Sequence, residues 1–241
     1  MIQPLLKEGL VRHERKGWVK ARIVEVFDSI QGEGLYLGEK QIFVRFFGCN
    51  LNCSFCDTKP DRFMEYEPRE LIDELKLYNR RYHSISFTGG EPLLAKDFLK
   101  EVLKSTSKDG HLHYLETNGT LHSELEELID YIDIVAMDVK LPSSSGMGNL
   151  WQQHKKFLKV ACKKEVFLKA IISASTTEDD LLEVFNIIKE VHPETVLVLQ
   201  PNSYDTGETL DNKINRCKEI CAQNNIVACV IPQIHKIAGM R

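Results

Sequence analysis

The chain has 241 residues, a formal net charge of −4 at pH 7, and 43% apolar and 27% charged residues, as is ordinary for a soluble globular protein. This balance argues against a general electrostatic partner such as a nucleic-acid backbone. No stretch approaches the ~20 apolar residues of a membrane span, and the start lacks the apolar core of a secretory signal. We therefore expect a cytoplasmic protein with no nucleic-acid partner and no membrane partner.

The N-terminal segment is basic, and its cationic residues are Lys7, Arg12, Arg15, Lys16, Lys20 and Arg22. We expect residues 1–20 to form a solvated extension. No Pro/Gly/Ser-rich linker divides the rest, so residues 21–241 are predicted to form a single domain. Residues 21–27 alternate like a strand, and the loop that follows holds Glu33 between Gly32 and Gly34. Glycines permit a close backbone approach, so this loop is either a ligand-binding loop or a tight turn.

Strand-like and helical stretches then alternate along the chain. The strands are predicted at 41–47, 84–88, 113–116, 134–138, 166–172 and 196–200. The helices are predicted at 67–79, 95–104, 123–131, 147–162, 177–191 and 210–223. A repeated strand, helix, strand order implies right-handed crossovers. The predicted fold class is therefore α/β, with six parallel strands and helices outside the sheet.

Three cysteines, Cys49, Cys53 and Cys56, follow the first parallel strand at a C-x3-C-x2-C spacing. Thiolates this close can bind one metal centre. A zinc site or a 4Fe-4S cluster normally has four protein ligands, and no fourth cysteine follows at this spacing. On a cluster, the missing ligand leaves one iron open to a substrate or cofactor. The alternatives are buried structural cysteines or an adventitious zinc site. The other cysteines, Cys162, Cys217, Cys221 and Cys229, suit core packing better than a second metal site.

The cysteine spacing, with Phe55 directly before the last cysteine, resembles the signature of the radical S-adenosylmethionine superfamily. This resemblance implies a partial (β/α)6 barrel in which the cysteines hold a 4Fe-4S cluster and S-adenosylmethionine chelates the fourth iron. A Gly89-Gly90-Glu91 motif after the second parallel strand matches the family motif that contacts the methionine amino group.

Polar residues also follow the later strands, where the carboxyl ends of parallel strands meet. Asp138, Lys140 and Gln200 carry groups that can form hydrogen bonds with a ribose and a methionine carboxylate, and turn capping is the alternative interpretation. For residues 116–118 the same two interpretations stay open. Arg45 needs an anionic partner, either a protein carboxylate or that of a ligand. The loop at 142–146 follows a strand end and is predicted to be functional.

The loop at 29–34, Arg45, Asp57-Thr58 and the loop at 143–147 together resemble the 7-carboxy-7-deazaguanine synthase family, from Val24 to Lys236. By that resemblance, the residues at the cofactor are Phe55, Asp57, Gly90, Glu91, Asp138, Lys140 and Gln200, and those at the substrate are Ile30, Gln31, Gly32, Arg45 and Thr88. Thr58 would bind Mg²⁺, a cation that keeps waters and takes few protein ligands.

The same resemblance implies a lyase that converts 6-carboxy-5,6,7,8-tetrahydropterin to 7-carboxy-7-deazaguanine with loss of ammonia. It also implies a homodimer and an electron donor such as a flavodoxin or ferredoxin. One alternative is a glycyl-radical-enzyme activase of the same superfamily, which would need a protein-docking groove. The other is a non-catalytic zinc or iron-sulfur binding module, which would not need the polar strand ends.

Overall fold

The structure is a computed structural model that describes residues 19–57, 59–78 and 81–239. The predicted basic extension lies outside the described residues except for Val19 and Lys20, and Thr58 also lies outside them. The predictions made for these residues therefore stay predictions. Within the described part of the chain, no helix has the length and apolar character that crossing a bilayer requires.

One mixed sheet of nine strands organises the described residues. The strands are β1 (Ala21–Ile30), β2 (Lys40–Phe46), β3 (Met64–Tyr66), β4 (Ser84–Gly89), β5 (His113–Thr117), β6 (Ile134–Val139), β7 (Glu165–Ile172), β8 (Leu197–Pro201) and β9 (Ala228–Val230). Their order is β3-β1-β2-β4-β5-β6-β7-β8-β9. From β2 to β9 neighbouring strands are parallel. β1 is antiparallel to both β2 and β3.

The sheet is an open, partial barrel, because its terminal strands β3 and β9 do not pair with each other among the described residues. The predicted α/β class and partial barrel are confirmed, and the predicted parallel strands correspond to β2 and β4 to β8. The sequence analysis missed β9 and β3. Each has only three residues, which is too short for an alternating pattern to be recognised.

The helices are α1 (Pro68–Leu75), α2 (Lys96–Lys108), α3 (His122–Glu126), α4 (Pro142–Ser145), α5 (Trp151–Ala161), α6 (Glu178–Val191), α7 (Glu208–Gln223) and α8 (Ile234–Ile237). The helix predicted from residue 147 begins at Trp151 instead. The Asn149 side chain accepts a hydrogen bond from the Trp151 amide at 3.0 Å, which forms a turn directly before the helix. The helix predicted at 123–131 is divided into α3 and a 3-10 turn, Ile129–Tyr131.

Side chains alternate between the two faces of each parallel strand, and the faces differ in polarity. In β6, Val135 and Met137 point outward into the main apolar core that the helices cover. Ala136 points inward, where a smaller apolar cluster includes Tyr114 and Phe167. Two residues farther along this face of β5, β6 and β8, toward the carboxyl ends of the strands, the side chains are polar: Glu116, Asp138 and Gln200. That end of the barrel is therefore the part that can bind a polar ligand.

Candidate active site

The carboxyl ends of the parallel strands open into a cavity of about 770 Å³, a size typical of cofactor and substrate sites. The predicted site residues that line it are Ile30, Gln31, Gly32, Arg45, Cys49, Cys53, Phe55, Cys56, Asp57, Thr88, Gly90, Asp138, Lys140 and Gln200. Glu91 is buried and is not among the lining residues. The fold thus brings nearly all predicted site residues together, while the ligand that each one contacts stays a prediction.

The loop that carries the three cysteines, residues 48–57, is called the cysteine loop here. It follows β2 and lies against Gly89 and Gly90 at the end of β4. The Glu91 amide donates a hydrogen bond to the Gly48 carbonyl oxygen at 2.8 Å. A Cβ atom on Gly90 would lie 1.8 Å from that same oxygen, so only glycine fits at this position. Cys53 is buried, whereas Cys49 and Cys56 are exposed. The Gly-Gly-Glu motif therefore has a structural role here, because it lets the β4 loop support the cysteine loop.

The donor set on this loop suits an iron-sulfur cluster. All three cysteines line the same cavity. Within the described residues, no group of three His, Cys, Asp or Glu side chains converges as the ligands of a single metal ion do. A four-iron cluster differs from a single ion because each thiolate binds a different iron. Cys217 and Cys221 are buried in the apolar core, and their pKa values are raised to about 11, mainly by burial.

Two buried acceptor atoms in the cavity lack a partner. Asp138 Oδ1 and Gln200 Oε1 have no hydrogen bond among the described residues. The other carboxylate oxygen of Asp138 accepts from Lys140 Nζ at 3.0 Å. Burial opposes the charge on Lys140, but the attraction of Asp138 and Cys53 outweighs it and raises the pKa of this ammonium group. Unpaired buried acceptors are costly, so these atoms fit a ligand with hydroxyl and amino donors, as S-adenosylmethionine has.

His154 fixes the backbone beside Lys140 and is fully buried. Its Nε2 accepts from the Lys140 amide, and its Nδ1 donates to the Gly119 carbonyl oxygen, both at 3.1 Å. This pattern defines the neutral tautomer. Burial, together with the nearby Lys140 charge, lowers the pKa of His154 to about 4 in spite of the Gly119 bond. Sequence reasoning assigned this histidine no role, and a lone histidine in a helix carried no signal of one.

Glu91 holds the loop that follows β5. Its carboxylate accepts hydrogen bonds from the Asn118 amide at 2.8 Å and from the Thr117 hydroxyl at 2.9 Å. Burial raises the pKa of Glu91 to about 7, although these hydrogen bonds oppose the shift. Asn118 in turn donates from Nδ2 to Asn50 Oδ1 at 2.8 Å, on the cysteine loop. In this structure Glu91 therefore acts through its neighbours, and direct contact with a cofactor stays a prediction.

A second polar group in the same cavity, here called the polar wall, is built around Glu116 on β5. Its carboxylate accepts from Gln31 Nε2 at 2.8 Å and from the Thr88 hydroxyl at 3.1 Å. Gln31 Nε2 also donates to Gln41 Oε1 at 2.9 Å, and Gln31 Oε1 accepts from the Glu33 amide at 3.0 Å. The predicted substrate residues Gln31 and Thr88 are thus held in fixed positions, and Glu116 is the residue that holds them.

Arg45 lies on the inward face of β2 and has a protein carboxylate as a partner. Its Nε donates to Glu25 Oε1 at 2.8 Å, and its guanidinium carbon lies 5.7 Å from the centre of the Phe27 ring. Among the described residues, Nε is the only nitrogen of this side chain with a hydrogen-bond partner. The protein carboxylate is therefore one partner of Arg45, and a ligand carboxylate stays a prediction because Arg45 also lines the cavity.

The sequence analysis missed a buried ion pair on the cavity wall. Lys169 Nζ lies 2.6 Å from Glu33 Oε2, and the Lys169 side chain is only 5% exposed. Burial favours the neutral acid, but Lys169 outweighs it and lowers the pKa of Glu33 to about 2. Gln233 Nε2 donates to the other Glu33 oxygen at 2.6 Å. The sequence signal for this ion pair is Lys169 itself, a charged residue in the middle of the otherwise apolar predicted strand at 166–172.

The C-terminal segment closes one side of the cavity. The Ile234 amide donates to the Gly32 carbonyl oxygen at 3.0 Å. A Cβ atom on Gly32 would lie 2.6 Å from His235 Nδ1, so glycine allows this close packing. Lys236 forms an ion pair with Asp57, which directly follows Cys56. The predicted site residues Gly32 and Asp57 are therefore joined through α8.

Comparison with known proteins agrees with this geometry. Residues 43–211 match the family model of the Radical SAM superfamily. A protein of Geobacter sulfurreducens named 7-carboxy-7-deazaguanine synthase is 35% identical over 91% of this chain and 97% of its own length. A protein of the same name from Methanothermobacter thermautotrophicus is 35% identical over 92% of this chain and 99% of its own.

A solved structure also shares the fold. The crystal structure of QueE from Escherichia coli aligns with a TM-score of 0.62 and 20% identity, over 88% of this chain and 93% of that one. At this identity the likeness concerns the fold alone. The family model and the relatives together show that the chain belongs to the radical S-adenosylmethionine superfamily and, within it, to the 7-carboxy-7-deazaguanine synthase family.

Proposed function

We propose that this chain converts 6-carboxy-5,6,7,8-tetrahydropterin to 7-carboxy-7-deazaguanine with loss of ammonia, as a lyase of queuosine and deazapurine biosynthesis. The observation that carries the proposal is that the cysteine loop and the polar wall around Glu116 line the same cavity. A reactive group held at one side can therefore act on a polar heterocycle held at the other. The names of the relatives support the choice of this product, and the pterin follows from the family resemblance.

At the cysteine side, Cys49, Cys53 and Cys56 would hold the 4Fe-4S cluster, with S-adenosyl-L-methionine on its fourth iron. When bound, these two groups supply the radical that removes a hydrogen atom from the substrate. Asp138 Oδ1 and Gln200 Oε1 would accept hydrogen bonds from the cofactor, because both are buried acceptors without a protein partner. Phe55, Asp57, Gly90, Glu91 and Lys140 complete the proposed cofactor side.

At the opposite side, Arg45 would bind the pterin carboxylate. Arg45 lines the cavity, and a charge-assisted pair of hydrogen bonds from its guanidinium would fix both the position and the orientation of the substrate. Thr88 and Gln31 would contact the ring from the wall that Glu116 holds rigid. Ile30 and Gly32 complete this side. Fixed groups of this kind accelerate a reaction by positioning the substrate. The entropy of ordering these side chains is already lost when the protein folds.

Thr58 would bind Mg²⁺ through its hydroxyl oxygen, with the remaining positions taken by substrate oxygens and water. Asp57, its neighbour in the sequence, lines the same cavity, and this supports the proposal. The further proposals are an electron donor such as a flavodoxin or ferredoxin, a homodimer and a cytoplasmic location. The electron donor and the homodimer rest on the family resemblance alone.

The test is anaerobic turnover by the reconstituted full chain with reductant, S-adenosylmethionine, Mg²⁺ and the pterin, followed by mass spectrometry of the products. We expect 7-carboxy-7-deazaguanine from the wild type and none from Cys53→Ala. Cys162→Ala is the matched control, because Cys162 is not among the cavity-lining residues, and it should retain activity. Cleavage of S-adenosylmethionine without conversion of the pterin would refute the proposed substrate. Equal turnover with and without a Mg²⁺ chelator would refute the metal proposal.

A further inference from the structure

The short helix α4, a single turn after β6, contacts the cysteine loop directly. Ser54, which lies between Cys53 and Cys56, donates its amide hydrogen to the Ser145 carbonyl oxygen at 2.8 Å. The Ser54 hydroxyl donates to the Ser144 carbonyl oxygen at 3.0 Å. Two donors of one residue in the cysteine loop are thus held by two successive carbonyls at the end of α4.

The opposite side of α4 is anchored to the start of α6 through Ser143. Asp180 Oδ2 accepts from the Ser143 amide at 2.8 Å and also from its hydroxyl. The same hydroxyl oxygen accepts from the Thr177 amide at 3.1 Å. The Ser143 carbonyl oxygen accepts from the Ser175 hydroxyl at 2.7 Å. Ser143 therefore connects α4 to three residues of the α6 N-terminal region.

The turn itself is tightly constrained. The Ser145 side chain is fully buried, and its hydroxyl donates to the Leu141 carbonyl oxygen at 2.7 Å. Gly146 ends the turn with a φ of 69°, a conformation that favours glycine, while its amide donates to the Pro142 carbonyl oxygen at 3.0 Å. Because the turn is constrained in this way, the hydrogen bonds of Ser143 also help to fix the Ser144 and Ser145 carbonyl oxygens that accept from Ser54.

We propose that α4 holds the cysteine loop in its ligand-binding conformation before a cluster is present. Ser143 and Asp180 act as positioning residues, because they fix α4. The cysteine loop has no helix or strand of its own between Gly48 and Asp57, so its order depends on contacts from outside. A loop that is ordered in advance loses less conformational entropy when it binds its ligand. The proposal rests on the cysteines holding the cluster, but not on the identity of the substrate.

The test is amide hydrogen exchange of the full-length protein without cluster. In Ser143→Ala we expect the Ser54 amide to exchange about ten-fold faster than in the wild type, which is the effect of losing roughly one net hydrogen bond. Ser144→Ala is the matched control. Its hydroxyl makes only a long 3.4 Å contact inside the turn, among the described residues, so exchange at Ser54 should change less than about two-fold. Ser143→Thr keeps the hydroxyl and should restore protection.

A second measurement follows iron release to a chelator from the reconstituted protein, which should be about ten-fold faster in Ser143→Ala. Ser54→Ala, a change at an exposed side chain, should show the same direction if Ser143→Ala fails to fold. Wild-type exchange in both variants would overturn the proposal, as would equal effects of Ser143→Ala and Ser144→Ala. Because exchange is measured without cofactor or pterin, failure of the proposed reaction would leave this result interpretable.

Discussion

Replacing His154 with alanine should weaken both the fold and the cofactor side of the cavity. The change leaves the Lys140 amide and the Gly119 carbonyl without partners in a fully buried location. An unsatisfied buried group costs about 1–3 kcal/mol, so we expect the free energy of unfolding to fall by roughly 2–6 kcal/mol. Because the Lys140 backbone loses its anchor, KM for S-adenosylmethionine should rise about ten-fold, with a smaller change in kcat.

His113 offers a matched control at the opposite end of β5. It is also fully buried, and its ring nitrogens contact the Thr106 hydroxyl and the Tyr131 carbonyl oxygen, both at 2.7 Å. His113→Ala should therefore destabilise the protein by a similar amount in urea unfolding but leave KM for S-adenosylmethionine unchanged. Equal changes of KM in the two variants would show that His154 has only a general structural role.

The pH dependence of stability provides an independent measurement. The folded protein holds His154 neutral, with a pKa of about 4 against an ordinary 6.5, so the unfolded chain binds more protons between these values. This contribution is present above pH 6.5 and is lost as the pH falls through about 4. Between pH 7.5 and pH 5 the loss is about 2 kcal/mol for one such group. His154→Ala should show a correspondingly flatter profile, and an unchanged profile would refute the assignment.

Three further changes test the supports of the cavity. Gly90→Ala forces the loops apart and should abolish iron binding on reconstitution, whereas Gly148→Ala, where an added Cβ meets nothing within 4 Å, should bind iron normally. Lys169→Met leaves Glu33 buried without its cation and should cost about 3–5 kcal/mol in urea unfolding. The double variant with Glu33→Gln should recover most of that loss, and no recovery would contradict the pairing. Arg45→Lys should raise KM for the pterin about ten-fold or more, since lysine lacks the two-pronged donor geometry; an unchanged KM would place the carboxylate elsewhere.

The sequence was sufficient to predict the cavity wall wherever a motif coincided with a strand end. The cysteine loop follows β2 and the glycine pair follows β4, and parallel pairing of these strands brings the two motifs together. Alternation along a strand then predicts which side chains share the inward face. Asp138 is an example, because Ala136 and Asp138 point to the same side of β6 and both line the cavity.

Contacts between distant segments could not be predicted in the same way. Glu33 and Lys169 are 136 residues apart, and no sequence motif around either residue indicates its partner. The roles of Ser143 and Asp180 depend on how a one-turn helix packs against the start of α6, which no periodic pattern encodes. Short strands such as β9 are likewise determined by their neighbours, because three residues carry too little pattern of their own.

The charged residues on the inward face argue that this end of the barrel is organised for binding at some expense of stability. A buried ion pair such as Glu33–Lys169 rarely stabilises a fold more than apolar residues of similar volume would, because removing both charges from water is costly. The same reasoning applies to Asp138 and Lys140, whose pairing leaves one carboxylate oxygen buried and unsatisfied. The Asp138 side chain is held by its partner Lys140 and keeps one acceptor for a further donor, so it is already oriented for a ligand. We therefore explain the desolvation cost of these buried charges by preorganisation of the site. A ligand that completes their hydrogen bonds binds groups that are already in position.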